Sequence, residues 1–189
     1  MKLRFFGDSH DIVKKSLLGW LIDFGPWAAH PMFTHAVSDA QATEFERFLG
    51  VSLISTAVLH PRSDRERYFA TQQEVGSIFL DPDTGIRLKR FQGNLANRFI
   101  FADELARLTD SRPRGLTLTF DQSLARGREQ AQLRRKLSHF RDLGIHGFAY
   151  VGQASFVVLG RSADLTHRAR EQLLSASALP AHRVIDDIA

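Results

Sequence analysis

Residues 76–86 read GSIFLDPDTGI, and this stretch decides the fold class. Val75, Ile78, Phe79 and Leu80 make a short apolar run of β-type residues, the pattern of a strand buried on both faces. The run breaks at once into Asp81-Pro82-Asp83-Thr84-Gly85, which is turn chemistry. Two carboxylates therefore stand at the carboxyl end of a buried strand, where open α/β sheets bind ligands. The same five residues also serve the plainer purpose of ending a strand.

Downstream, residues 98–101 suggest a brief strand and residues 103–108 a short helix. Residues 115–120 alternate Leu116, Leu118 and Phe120 with polar positions, a strand that ends in Asp121-Gln122-Ser123. Residues 129–143 follow as a basic helix with Leu133, Leu137 and Phe140 inward and Gly144 at its end. Two strands, 148–151 and 155–159, are joined by Gly152-Gln153-Ala154 as an antiparallel hairpin, and a last helix spans 164–175.

Upstream, residues 1–6 alternate as a half-exposed strand. Val13, Leu17, Trp20, Leu21 and Phe24 line one face of a helix that Gly25-Pro26 ends. Residues 40–49 read as a helix closed by Gly50, and 51–59 as a second apolar strand. The segment 27–34 resists assignment because Pro31 interrupts it, and 62–67 reads as an exposed charged connection. Strands alternating with helices predict a single α/β domain over residues 1–180, with 181–189 as a tail. Its sheet is expected to be mostly parallel, with helices on both faces and a C-terminal antiparallel hairpin.

The chain has 189 residues, 43% of them hydrophobic, enough for one core. It contains no cysteine, which excludes disulfides, thiol nucleophiles and cysteine-based metal centres. No apolar run approaches the ~18–20 residues of a membrane span and no signal-peptide pattern opens the chain, so no membrane partner is expected and the cytoplasm is the expected compartment. The net charge of +4 is compatible with a phosphate-bearing partner.

On a parallel sheet Asp8, Asp81, Asp83 and Gln122 would follow successive strands and meet on one rim. Clustered carboxylates repel unless a cation separates them, and oxygen-only ligands suit Mg²⁺ or Mn²⁺. Asp8, Asp81 and Asp83 are thus candidate ligands, with Glu104 or Asp11 completing the shell and Lys14 meeting a phosphate. That constellation would make a metal-dependent phosphodiesterase or nuclease. Asp8 and Asp11 fit a helix N-cap as well. Arg87, Lys89 and Arg90, with Arg126 and Arg128 and the rest of the basic run through Arg134, Arg135, Lys136 and Arg141, suggest a nucleic-acid backbone as substrate. A solvated helix face would also explain the run, and Phe91 and Phe140 read as core.

The order of elements resembles the second half of a methyltransferase-type Rossmann fold, without the glycine-rich turn that would receive its cofactor. A non-catalytic nucleic-acid- or protein-binding module on a degenerate fold of that type is therefore a further reading. The chain also resembles a bacterial protein family that opens on Gly-Asp-x-x-Asp-x-x-Lys and carries Phe-Phe-Asp-Pro-Asp-Asn-Gly at mid-chain. Here those patterns are Gly7, Asp8, Asp11, Lys14 and Phe79-Leu80-Asp81-Pro82-Asp83-Thr84-Gly85, followed by Asp103-Glu104-Leu105 and by Gln122 with Arg126. The resemblance implies that Asp8, Asp11, Lys14, Asp81, Asp83, Glu104 and Gln122 belong together. It implies no reaction. Finally, Gly7-Asp8-Ser9 after a strand and Asp164-Leu165-Thr166-His167 near the end resemble the catalytic blocks of SGNH (GDSL-type) hydrolases. That would make Ser9 the nucleophile, His167 the base and Asp164 its partner, although no clean oxyanion block is present.

Overall fold

The computed structural model describes residues 6–70 and 76–186. A seven-stranded sheet runs through the molecule in the order β2-β1-β3-β6-β8-β7-β9. These strands are β1 (Trp27–His30), β2 (Ser52–Leu53), β3 (Ser77–Leu80), β6 (Thr117–Asp121), β7 (His146–Tyr150), β8 (Ser155–Gly160) and β9 (Val184–Asp186). β2, β1, β3 and β6 are mutually parallel, and β8, β7 and β9 continue the sheet antiparallel. The fold is α/β and Rossmann-like, as the sequence predicts, with the β7–β8 hairpin in place. A second, two-stranded parallel sheet pairs β4 (Gly85–Arg87) with β5 (Phe99–Phe101).

Helices cover both faces because strand side chains alternate. Phe79, Leu118, Phe120, Phe156 and Val158 point into one core, closed by α1 (Ser9–Trp20), α2 (Asp39–Leu49) and α6 (Ala163–Ser177) through Leu17, Leu18, Phe45, Leu49, Ala169 and Leu173. Ile78, Leu80, Val157 and Leu159 point into the other, closed by α4 (Ala102–Asp110) and α5 (Glu129–Asp142) through Leu105, Leu108, Leu133, Leu137 and Phe140. Ile78, Phe79 and Leu80 have no exposed surface, and burying each contributes about 1.5–3 kcal/mol. Ile78, Phe79 and Leu80 thus serve two cores at once.

Local signals set the helix ends. Ser38 caps α2 in a reciprocal pair with Gln41, and Gly50 closes it at φ +74°. α1 stops at Trp20, and a 3₁₀ turn, Ile22–Phe24, carries the chain into β1.

Several expectations are corrected. The segment that resisted assignment supplies β1, all four of whose residues are buried. The expected strand over 51–59 shrinks to the two residues of β2, since the ladder with β1 ends after Ile54 N donates to Ala29 O at 2.9 Å. The charged connection holds α3 (Arg65–Ala70), whose Arg65 is drawn inward by Glu104. The expected tail contributes β9, held by burial of Val184 and Ile185 and by pairing with β7. The expected first strand, 1–6, lies outside the described residues apart from Phe6.

Candidate functional site

From β1 the chain crosses by α2 to β2 on one side, and from β3 it proceeds to β6 on the other. The carboxyl ends of β1 and β3 therefore form the switch point at which α/β sheets open a crevice. Asp81 stands there, and α1 lays its first turns against it. Asp8 caps that helix: its Oδ1 accepts from the backbone N–H of His10 at 2.8 Å and of Asp11 at 3.2 Å. Lys14 Nζ donates to Asp11 Oδ1 at 2.7 Å and to Asp81 Oδ2 at 2.8 Å, while Asp11 Oδ2 accepts from Gly7 N at 2.8 Å. Asp11, Lys14 and Asp81 are 2%, 5% and 1% exposed, so the crevice is filled by an Asp–Lys–Asp cluster.

The electrostatics follow from two carboxylates sharing one ammonium. Burial works against the Lys14 charge, but Asp81 and Asp11 outweigh it and hold its pKa above the ordinary lysine value. Burial pushes the Asp81 pKa up, and Lys14 only partly offsets it. The cation that clustered acids require is supplied here by the chain itself. Lys14, expected to meet a phosphate, is enclosed between carboxylates instead. Asp83 accepts from Arg98 Nε at 2.7 Å. Glu104 is buried on α4, where it accepts from Arg65 Nε and Nη2 at 2.6 and 2.7 Å and from Phe101 N at 3.0 Å. Gln122 reaches the α1 end, with Nε2 3.1–3.2 Å from the His10 ring nitrogens.

Asp8, Asp11, Lys14, Asp81 and Gln122 are thus gathered about one helix end, while Asp83 and Glu104 are held by other partners. Among the described residues no group of three or more His, Asp or Glu side chains is placed to hold a metal ion. Nor, among them, does a hydrogen bond join Ser9, Asp164 and His167; Asp164 pairs with Arg168 one turn along α6 at 3.0 Å.

A different part of the molecule is open. The small sheet docks onto the end of β6 through Asp121, whose Oδ1 accepts from Ile86 N at 3.1 Å, Ser123 N at 3.1 Å and Ser123 Oγ at 2.7 Å. Only glycine fits at Gly85, where a Cβ would lie 2.1 Å from Asp121 Oδ1 on a backbone with φ +135°. Docked in this way, β4 and the loop after it face α5 across a groove of about 590 Å³. Leu133, Leu137 and Phe140 anchor α5 in the core, which turns Gln132, Arg135 and Lys136 toward the groove.

Lys136 forms the floor. Its Nζ donates to Asp121 Oδ2 at 2.5 Å and to Ser123 Oγ at 2.8 Å, which accounts for two of the three ammonium N–H groups. Burial lowers its pKa although Asp121 opposes the shift. The walls carry Arg87, Lys89, Arg90 and Arg135, all exposed. Arg90 is drawn to Asp103 at 2.6 Å and Glu104 at 3.2 Å. Among the described residues no carboxylate forms a salt bridge with Arg87, Lys89 or Arg135. Phe91, expected in the core, stands in the wall with 38% of its surface exposed, and Leu95 beside it with 55%. Phe140 is buried as expected. Arg126 and Arg128 are exposed on the loop before α5 and do not line the groove.

Sequence reasoning picked out Arg87, Lys89 and Arg90 and passed over Phe91, Leu95, Ser123 and the special place of Lys136. The signal for Lys136 was its position three residues after Leu133 and beside Leu137, on the inward side of the helix. Comparison with protein-family models, with curated proteins and with solved structures gives no match for this chain.

Proposed function

We propose that this protein binds the phosphodiester backbone of nucleic acid in the groove between β4 and α5. The observation that supports this reading is the charge of that concavity. Arg87, Lys89 and Arg135 lack acidic partners among the described residues, and the Lys136 ammonium is fixed at the floor by Asp121 and Ser123. A concave surface of one sign concentrates the opposite charge, and lysine and arginine on phosphates gain affinity by releasing condensed counterions. The volume of about 590 Å³ lies within the range of small-ligand clefts, roughly 300–1,000 Å³, so the groove holds a nucleotide-sized portion of a longer chain. Asp121 and Ser123 serve as positioning residues: they keep Lys136 in place where a free lysine would be mobile.

The reading is one of binding, with no bond broken. It is tested by anisotropy of a labelled oligonucleotide across a salt series. Four cations meeting four phosphates of a single strand give a slope of log Kobs against log [salt] of about −3. Reversal of Arg87→Glu with Arg135→Glu, both at exposed positions, is expected to flatten the slope by about half and weaken binding at low salt. Equal affinity and slope in that variant would refute the assignment of the groove.

A further inference from the structure

We infer that the groove takes a single strand and that one base of it stacks on Phe91. This rests on the reading just given and narrows its ligand from nucleic acid at large to unpaired nucleic acid. A duplex presents phosphates and groove edges outward and keeps its flat base faces in the stack. An unpaired strand lays a base on a side chain without the unstacking cost that a duplex must meet first.

The groove wall is built for such a face. Phe91 meets the rings of Phe99 and Phe101 in edge-type contacts, both with centroids 5.6 Å apart and at 74° and 90°. Those contacts hold the ring, yet 38% of the residue remains exposed, and it lines the groove. A ring held in place in advance loses little freedom when a ligand covers it. The cations are arranged around the same aromatics: the Arg87 guanidinium lies 4.9 Å from the Phe99 centroid, and that of Arg90 lies 5.5 Å from the Phe101 centroid. Leu95, 55% exposed, extends the apolar strip. Cation and apolar surface therefore adjoin along one wall, which matches a chain whose phosphates and bases adjoin as well. An acidic peptide would answer the charge and leave Phe91 and Leu95 uncovered.

The test compares two labelled strands of equal length and charge, one carrying bases and one made wholly of abasic phosphodiester units. Duplex DNA and an oligoglutamate peptide serve as competitors. The base-bearing strand is expected to bind on the order of 10-fold more tightly than the abasic one. Phe91→Ala is expected to erase that difference while leaving abasic binding unchanged. Phe91→Trp, which keeps a flat face should the smaller side chain disturb the loop, is expected to preserve or widen it. Equal binding of the two strands by the unaltered protein would overturn the stacking inference and leave the backbone reading standing. Competition by duplex as effective as by single strand would do the same. Competition by oligoglutamate equal to that of the strand would overturn the nucleic-acid assignment itself. Failure of both strands to bind at low salt would overturn both readings.

Discussion

Replacing Lys14 by methionine keeps most of the volume of the side chain and removes its charge, leaving Asp11 and Asp81 facing each other in a buried site. The two carboxylates are 2% and 1% exposed, and each loses a hydrogen bond of 2.7 or 2.8 Å. Breaking a buried ion pair by deleting one partner costs about 3–5 kcal/mol, because the charge left behind is neither solvated nor paired. For a chain of this length, that lowers the melting temperature by roughly 6–20 °C.

The loss should depend on pH in a definite direction. Without Lys14, burial and the Asp11 charge both push up the pKa of Asp81, which is already raised in the native protein. A carboxyl with a raised folded-state pKa favours folding while it is protonated, and that contribution disappears as pH rises through the folded pKa. Lys14→Met is therefore expected to be mild near pH 4–5 and severe near pH 8. Adding Asp81→Asn should recover much of the loss at pH 8, since an amide needs no counter-charge. Urea unfolding followed by circular dichroism, at both pH values on the single and double variants, measures this directly. A single variant within about 1 kcal/mol of the native protein at pH 8, or a double variant no better than the single, would refute the account of the cluster.

Gly85→Ala forces a Cβ to within 2.1 Å of Asp121 Oδ1 and 2.9 Å of its Cα, and is expected to cost about 3 kcal/mol or more, measured by urea unfolding. Gly19→Ala, in α1 with nothing within 4 Å, should instead stabilise by about 0.5–1 kcal/mol in the same assay. His30 is fully buried at the end of β1, and burial pushes its pKa from 6.5 down to about 3. A depressed folded-state pKa contributes stability that is present above 6.5 and lost as pH falls toward about 3, at most about 1.4 kcal/mol per pH unit. His30→Asn, which retains an acceptor for Met32 N, should show a shallower loss than the native protein in urea titrations across that window. Parallel curves would show that His30 does not titrate on unfolding.

Most of the fold is legible in the sequence where one periodicity runs without interruption. β6 announces itself by alternation, β3 and the β7–β8 hairpin by short apolar runs that turn residues end, and the long helices by an apolar stripe. β1 does not: Trp27-Ala28-Ala29-His30 is as fully buried as β3 but holds a single strong β-former, and Pro31 follows at once. β9 is hidden for another reason. It has three residues in a polar setting, and only the waiting edge of β7 makes them a strand.

The site is less legible, because its meaning lies in partners distant along the chain. The acids Asp8, Asp11 and Asp81 stand out locally, yet the bond from Lys14 to Asp81 spans 67 positions and reverses what the cluster needs. A solitary Phe91 among arginines looks like core until β4 and β5 are seen to form a separate small sheet with that loop beside it. Lys136 likewise reads as one more charge in a basic run. Its bond to Asp121, fifteen positions away, sets it apart.

Differential hydrogen–deuterium exchange of the whole chain, free and saturated with a short single-stranded oligonucleotide at low salt, addresses the placement of the ligand most directly. Slowed exchange is expected in residues 86–99 and 129–136, on the two sides of the groove, with α6 and the α1 end unchanged. Protection concentrated at α6 or at the Asp8–Gln122 rim, or none despite saturation, would contradict the claim that this groove is where the protein meets its ligand.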